Sequence, residues 1–150
     1  MTNNMGVGCE DDKVCPLCQS PYTPPRNTRI RTTKDVLACV KHFRNKKQEY
    51  FICLSLDSNQ RLIARRIVTI GLLDETLVHP REVFAGPILD RAASVVVVHN
   101  HPSGLARPSD EDIKTTQHLV AAGQLLGVKL NDHLVITKTQ YFSFSGMRLI

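Results

Sequence analysis

The chain has 150 residues, of which 42% are hydrophobic and 22% are charged, and its formal net charge at pH 7 is +5. A chain of this length supports one domain that buries roughly 70% of its unfolded surface, so folding requires neither a metal nor a disulfide. The first residues, MTNNMGVG, have neither a cationic start nor an apolar core, and no apolar run approaches the roughly 20 residues of a membrane span. These features predict a cytoplasmic protein that does not enter a membrane and whose cysteines are mostly reduced thiols.

Residues 1–28 differ in composition from the rest of the chain. They are rich in Asn, Asp, Gly, Thr and Pro and show no hydrophobic period, which predicts a disordered tail before a domain at 29–150. The tail contains Cys9, Cys15 and Cys18, and the segment Cys15-Pro-Leu-Cys18 resembles half of a zinc knuckle. Because a closed structural zinc site needs four ligands and the tail supplies three obvious ones, we interpret the segment as a tail without an ordered metal.

The hydrophobic pattern of the remaining chain predicts alternating helices and strands. In chain order these are a helix capped by Thr33, strands at 49–56 and 61–70 that form a hairpin, a helix from Pro80, a strand at 92–98, a helix from a Ser109 cap to about Leu126, and strands at 130–136 and 141–145. Gly86-Pro87 is expected to break or kink the second helix, because an interior proline costs about 3 kcal/mol. The sum is an α/β (α+β) fold with a mixed, largely antiparallel sheet flanked by helices.

An apolar strand runs directly into two histidines in the segment SVVVVHNHPSG, which begins at residue 94. On an extended strand, His99 and His101 project from the same side and Asn100 from the other. Eleven residues after His101, Asp112 lies in the first turn of the helix capped by Ser109. A loop of this length can bring the helix start to the strand end, so that two imidazoles and a carboxylate converge and leave one position of a tetrahedral zinc site for water. This pattern predicts a catalytic zinc site.

Two further residues complete the predicted site. A zinc-activated water needs a base, and Glu49, at the start of an apolar strand, is the candidate. The hydroxyl of Ser109 is the candidate for holding the developing oxyanion. Each residue also has a structural interpretation, since Ser109 and Asp112 match a capping box and Glu49 matches a solvated strand end. For Ser109 the two roles are compatible, because the cap fixes the direction of the hydroxyl.

The spacing His99-x-His101-x7-Ser109-x2-Asp112, with Glu49 upstream, resembles the JAMM (MPN+) metallopeptidase motif at each position. The segments VHPREVF, VVHNHPSG, PSDEDI and NDHLVI resemble the RadC branch of that fold, the UPF0758-type proteins, over residues 30 to 150. The resemblance implies a cytidine-deaminase-like mixed sheet and zinc-dependent cleavage of peptide or isopeptide bonds in a peptide or protein substrate. It also implies one zinc ion per chain held by His99, His101 and Asp112, with Glu49 as acid/base and Ser109 as oxyanion helper. Full-length RadC proteins carry a helix-hairpin-helix segment upstream, for which the short tail leaves no room, so no DNA-binding role carries over from that segment.

The net positive charge is concentrated between residues 26 and 66, which hold eleven basic residues against three acidic ones. Such a region predicts affinity for nucleic acid or for an acidic partner. The alternative is a solvated face, since no aromatic residues interleave the basic ones to form a stacking platform. A nucleic-acid-associated accessory protein and a zinc-binding scaffold without turnover therefore stand beside the hydrolase as interpretations.

Several other residues have two open interpretations. Asp132 and His133 form a pair that either orients a ligand imidazole from behind or makes a structural hydrogen bond. Pro102, Ser103 and Gly104 shape a turn whose backbone is also a candidate lining of the substrate cleft. His79, directly before Pro80, is interpreted as structural. The two cysteines of the domain, at positions 39 and 53, fall on apolar faces and are predicted to be buried thiols.

Overall fold

The computed structural model describes residues 28–71 and 78–150, so the predicted tail apart from its last residue, including Cys9, Cys15 and Cys18, lies outside the described residues. The elements are, in chain order, α1 (Thr33–Val40), a 3-10 turn (Lys41–Phe43), β1 (Tyr50–Leu56), β2 (Leu62–Ile70), α2 (Pro80–Leu89), β3 (Ser94–Asn100), α3 (Asp110–Leu126), β4 (Lys129–Ile136) and β5 (Tyr141–Ser143). None of the helices in the described ranges has the length and apolar character that crossing a bilayer requires.

The strands form one five-stranded sheet in the order β2-β1-β3-β4-β5. β1 is antiparallel to both β2 and β3, and β4 is antiparallel to β5, whereas β3 and β4 are parallel. The predicted mixed and largely antiparallel sheet is therefore confirmed. A parallel pair needs a crossover connection, and α3 supplies it. The end of β3 and the start of α3 are joined by the loop 101–109, and they lie close together, since His99 of the strand is 3.1 Å from Asp112 of the helix.

Hydrophobic clusters cover both faces of the sheet. α1 contributes Val36 and Val40 to the cluster on one face, while α2 and α3 contribute Phe84 and Leu119 to the other. All seven residues of β3 are buried, as expected for a strand that is central and covered on both faces. The prediction of buried thiols is confirmed for both cysteines of the domain.

The helix starts follow from side-chain capping. The N-cap of α1 is Thr32 rather than the predicted Thr33. The reason is the capping box: Asp35 lies three residues after Thr32, and its carboxylate accepts the Thr32 backbone N–H at 2.8 Å. Three residues after Thr33 the chain has an apolar side chain, which cannot return such a bond. At α2 the Nδ1 atom of His79 accepts the Arg81 backbone N–H at 3.1 Å, which agrees with a structural role for this histidine.

Of the two outcomes predicted for Gly86-Pro87, a break of α2 is wrong, because the helix continues to Leu89, whereas a kink stays a prediction. Pro87 lies in the last turn, where its missing N–H removes one bond, the one to the carbonyl four residues earlier. The turn is still closed by the Asp90 N–H, which donates to the Gly86 carbonyl at 2.9 Å. The proline side chain is buried, so burial of its apolar surface offsets part of the lost bond.

Candidate metal centre

Three side chains with metal-binding chemistry converge where β3 ends and α3 begins. The Nε2 atom of His99 lies 3.0 Å from Nε2 of His101 and 3.1 Å from Oδ1 of Asp112. The other carboxylate oxygen, Oδ2 of Asp112, lies 3.4 Å from Nε2 of His101. The structure thus brings together the three residues that the sequence nominated as ligands, and they form a cluster that could hold a metal ion.

The spacing of these atoms fits a small tetrahedral cation. Ligand atoms at about 2.0 Å from a tetrahedral zinc ion lie roughly 3.3 Å from one another. The two Nε2 atoms are 3.0 Å apart, and each lies near one oxygen of the Asp112 carboxylate, His99 at 3.1 Å from Oδ1 and His101 at 3.4 Å from Oδ2. These separations are close to that edge length, although they involve both oxygens. Little side-chain movement would therefore be needed for the three groups to share one ion.

A chain of buried hydrogen bonds fixes the protonation of His99. The hydroxyl of Thr116 donates its single proton to the Asp112 carbonyl at 2.6 Å, so the Nδ1–H of His133 must be the donor in its 2.6 Å contact with the same hydroxyl oxygen. Burial lowers the pKa of His133 well below its ordinary value, so the ring is neutral and its Nε2 is an acceptor. His99 therefore donates from Nδ1 to His133 Nε2 at 2.8 Å. This leaves the Nε2 lone pair of His99 for a cation.

His101 has the same tautomer as His99, with its proton on Nδ1, but a different partner fixes it. Its Nδ1 atom lies 2.9 Å from the carbonyl oxygen of Leu105, which can only accept, so Nδ1 carries a proton. In the neutral ring the lone pair is then on Nε2, the atom that faces His99 and Asp112. In their neutral forms both imidazoles consequently present unprotonated Nε2 atoms to the carboxylate, as metal-ligating histidines with a fixed tautomer do. When a ring is protonated instead, the same Nε2 atom donates a hydrogen bond to Asp112.

The electrostatics of the cluster favour a cation between its members. The hydrogen bond to Asp112 raises the pKa of His101 although burial opposes this, and the Leu105 carbonyl and the Glu49 carboxylate act in the same direction. Burial alone would raise the pKa of Asp112, but hydrogen bonds from His101 and His99 outweigh it and hold that pKa well below its ordinary value. The carboxylate is therefore ionised and attracts a proton or a metal ion to the two imidazole nitrogens.

Aromatic packing holds the buried rings in place. His99 and His133 are both 0% exposed. The ring of Phe51 stacks on His99 at a centroid distance of 5.9 Å, and Phe144 stacks on His133 at 4.9 Å, each pair within 10° of parallel. Side chains locked by such packing change their rotamers little when a ligand binds, so the donor atoms are preorganised.

The helix start that carries Asp112 is built by a capping box. The Ser109 hydroxyl oxygen accepts the Asp112 backbone N–H at 3.1 Å, and Oδ2 of Asp112 accepts the Ser109 N–H at 2.7 Å. This confirms the structural interpretation of the pair. Within the described part of the chain, the proton of the Ser109 hydroxyl has no acceptor, and the side chain is exposed, so the hydroxyl remains able to donate outward.

Glu49 is placed beside the cluster by strand pairing. The register of β1 against β3 pairs Phe51 with His99, so the alternation of side chains puts Glu49 on the same face as the two ligand histidines. The side chain of Asn100 fixes this segment, accepting the Tyr50 N–H at 2.7 Å and donating to the Gln48 carbonyl at 2.9 Å. These two bonds flank Glu49 on both sides. Its carboxylate is near enough to influence His101, as described above.

Sequence reasoning missed two residues that complete this arrangement, Thr116 and Asn100. Thr116 lies one helical turn after Asp112, and that spacing was a usable signal because residues four apart share a helix face. Asn100 was interpreted only as pointing away from the ligands, which it does. Its hydrogen bonds to Gln48 and Tyr50 join residues 52 and 50 positions apart in the chain, so they depend on strand pairing that no local pattern predicts. His133 was named as a residue that could orient a ligand, and its contact with His99 agrees with that interpretation, whereas Asp132 bonds to Ser143.

Part of the basic region is committed to the fold. Arg65 is buried, donates from Nη1 to the Cys39 carbonyl at 2.8 Å and lies over the ring of Phe43. Arg66 forms a two-pronged ion pair with Asp90, one arm of which is 2.7 Å long. These two guanidinium groups are therefore occupied by internal partners, and the affinity of the region for nucleic acid or an acidic partner stays a prediction.

A mixed sheet between helices, with a His-His-Asp cluster where the central strand meets a helix start, defines a JAB-type (JAMM/MPN) domain. Residues 30–149 match the family model of the RadC-like JAB domain. The chain therefore belongs to the RadC-like JAB domain family, and among its relatives are proteins named UPF0758.

Three such relatives show the extent of the similarity. A UPF0758 protein of Methanospirillum hungatei is 43% identical over 129 residues, which cover 83% of this chain and 57% of the relative. One from Protochlamydia amoebophila is 47% identical over 106 residues, covering 71% and 46%, and one from Methanosarcina acetivorans is 45% identical over 116 residues, covering 77% and 51%. The chain thus spans about half the length of the curated relatives it matches. The names of these relatives state no activity.

Proposed function

We propose that the chain is a zinc-dependent hydrolase that cleaves peptide or isopeptide bonds. The observation that carries this proposal is the convergence of His99, His101 and Asp112 with both Nε2 lone pairs held toward the carboxylate. Two imidazoles and one carboxylate are a ligand set typical of catalytic zinc, which keeps a fourth position for water or substrate. A structural zinc site would instead be closed by four protein ligands.

The residues of the chain divide the chemistry among them. A zinc ion bound by the three ligands would act as a Lewis acid that makes water a nucleophile near neutral pH. Glu49 takes the proton of the attacking water and returns it to the leaving nitrogen. The Ser109 hydroxyl donates to the oxygen that gains negative charge as the carbonyl is attacked. His133 and the Leu105 carbonyl keep the two imidazoles in the required tautomer.

The ligand set is tested by the zinc content of the purified protein. We expect one zinc ion per chain, lost in His101→Ala and retained in His118→Ala, a matched change at an exposed histidine of α3. Substoichiometric zinc that is the same in the two variants would contradict the ligand assignment.

Turnover is tested with a pool of linear peptides and lysine-branched isopeptides, with new amino termini identified by mass spectrometry. Glu49→Gln should abolish cleavage and keep the metal, while Glu82→Gln, at an exposed glutamate of α2, should leave cleavage unchanged. If wild-type protein binds zinc stoichiometrically and cleaves neither kind of bond, the site is that of a zinc-binding scaffold and the hydrolase proposal fails.

A further inference from the structure

A cleft of about 480 Å³ opens beside the metal cluster, that is, the candidate metal-binding side chains of His99, His101 and Asp112, and His101 forms part of the wall of the cleft. One side is the segment between α1 and β1, the second is the loop after β3, and the third is the turn between β4 and β5. Pro102 and Gly104 of the loop line the cleft, which agrees with the second of the two interpretations given to that turn. The volume is within the range of about 300–1,000 Å³ that small ligand sites occupy, so the cleft has room for a small ligand or for a short segment of a larger molecule.

The charge of this cleft is strongly positive. Four of its eight lining residues are cationic and none is acidic; the cations are Arg44, Lys46, Lys47 and Lys138. The three lysines are exposed, and no carboxylate among the described residues forms an ion pair with any of them. A concave wall of one sign focuses the field and raises the local concentration of the opposite charge.

Arg44 holds two walls of the cleft together. Its Nε atom donates to the Thr137 carbonyl at 2.7 Å, and Nη2 donates to the Gln140 carbonyl at 3.2 Å. Lys138 lies within the same turn, which the Thr137 N–H closes by donating to the Gln140 carbonyl at 2.9 Å. Since the partners of the guanidinium are neutral carbonyls, its positive charge is not cancelled. The cations are thus gathered around one opening instead of being scattered over the surface.

The geometry points to an acidic peptide segment as the occupant of this cleft, bound next to the bond that the metal cluster would cleave. This inference rests on the proposed function, which makes the substrate a peptide or protein. Two or three Asp or Glu side chains on one side of the scissile bond would lie against the lysines. The carbonyl of that bond would face the cluster of His99, His101 and Asp112. The cationic cleft then selects the substrate by charge, and the metal cluster acts on it.

A nucleic acid is a poorer match to the same charges. Arg65 is buried, and the charge of the partly exposed Arg66 is balanced by Asp90, so these two arginines contribute little to a continuous phosphate track. Among the described residues that line the cleft there is no Phe, Tyr or Trp, and its one ring is the imidazole of His101, whereas single strands are held by bases that stack on successive aromatic rings. The cations available beside the cluster therefore suit a few carboxylates better than an extended polyanion.

The test is binding to zinc-loaded Glu49→Gln protein, which separates recognition from turnover. The probes are decapeptides with a neutral dye and four Glu, four Gln or four Lys residues in an Ala-Gly background, followed by fluorescence anisotropy. We expect the Glu peptide to bind at least tenfold more tightly than the Gln peptide, with an affinity that falls as salt is added. The cleft variant Lys46→Ala/Lys47→Ala/Lys138→Ala should lose roughly tenfold of this affinity.

The matched control is the variant Lys34→Ala/Lys114→Ala/Lys129→Ala, which removes three exposed lysines elsewhere and changes the net charge by the same amount. It should keep the affinity for the Glu peptide. Equal loss in the two triple variants, or no preference for Glu over Gln, would overturn the inference. So would a decathymidine strand that binds more tightly than the Glu peptide and loses its affinity only in the cleft variant, because the cleft would then serve nucleic acid.

The outcome is independent of the hydrolase proposal. Selective binding of the Glu peptide together with no cleavage of any peptide by the wild-type protein would refute the proposed activity and leave the cleft assignment standing. Cleavage of neutral peptides at rates that the cleft variant does not change would support the proposed activity and refute the cleft assignment.

Discussion

His133 offers the sharpest test of how the metal cluster is built, because it contacts a ligand without being one. We consider His133→Phe, a change of similar volume that keeps the stack on Phe144 and removes both ring nitrogens. The Nδ1–H of His99 then loses its acceptor inside a fully buried environment. The ring of His99 is no longer restricted to the tautomer that presents Nε2 to Asp112.

The expected loss in metal affinity follows from the cost of an unsatisfied buried donor. That cost is about 1–3 kcal/mol, and each 1.4 kcal/mol is a factor of ten in an equilibrium constant. The loss should therefore be roughly 5- to 150-fold, which overlaps the 10- to 100-fold typical of residues that orient a metal ligand. His133→Gln should recover part of the affinity, since its amide oxygen can accept from His99 while its amide nitrogen donates to Thr116.

The assay is competition for zinc between the protein and a chromophoric chelator, with His118→Phe as the control at an exposed histidine of α3. Urea unfolding measures the stability of each variant separately, and nitrogen-15 imidazole spectra of His99 report its tautomer. If His133→Phe binds zinc within twofold of the wild-type affinity and His99 still carries its proton on Nδ1, the hydrogen-bond chain does not orient the ligand and the reasoning is refuted.

Three further predictions concern the surroundings of the site. Ser109→Ala should lower the free energy of unfolding by about 1 kcal/mol, measured by urea titration, because it removes the N-cap of α3. If the proposed oxyanion role holds, it should also lower kcat by about 10²- to 10³-fold. Gly123→Ala should cost about 1–3 kcal/mol of stability and lower Tm, because the new Cβ would lie 2.5 Å from the Val128 carbonyl oxygen. Burial raises the pKa of Cys53 to about 12, so the thiolate is absent near neutral pH and native protein should resist alkylation at Cys53, with modification appearing only on unfolding.

The Ser109 and Gly123 predictions each have a control within the chain. Ser109→Asp keeps a capping oxygen without a hydroxyl donor, so it should restore stability and leave kcat low. Ala121→Ser, at an exposed position of α3, should change stability by less than about 0.5 kcal/mol. Rapid alkylation of Cys53 in native protein, or a fully stable Gly123→Ala variant, would contradict the packing described here.

The parts of the site that could be predicted from sequence are those set by local pattern. A run of four valines places His99 at the end of a central strand, period-two alternation puts His101 on the same side, and a Ser-x-x-Asp capping signal places Asp112 in a first turn. Each of these inferences needs only a few neighbouring residues. Together they were sufficient to predict that the side chains of these three residues converge.

The parts that could not be predicted depend on contacts between distant segments. The proximity of Glu49 to His101 comes from the register of β1 against β3, and no local signal near Glu49 carries that register. α2 continues past Pro87 because hydrogen bonds close its last turn and the proline ring is buried. The helix propensity of proline takes neither contribution into account. The capping residue of α1 was misplaced by one position because two threonines are adjacent and only the reciprocal bond from Asp35 distinguishes them.

The three proposed ligand residues occupy only fourteen consecutive positions, from 99 to 112, yet the hydrogen bond that fixes the tautomer of His99 comes from His133 in β4, on the far side of the crossover. A peptide excised over those fourteen positions would contain every donor atom but would sample both histidine tautomers and many rotamers, so it should chelate weakly. Metal binding and native structure are therefore thermodynamically linked. Added zinc should raise the melting temperature of the intact domain, and a heat-denatured chain should release its ion as the parallel strand pair separates.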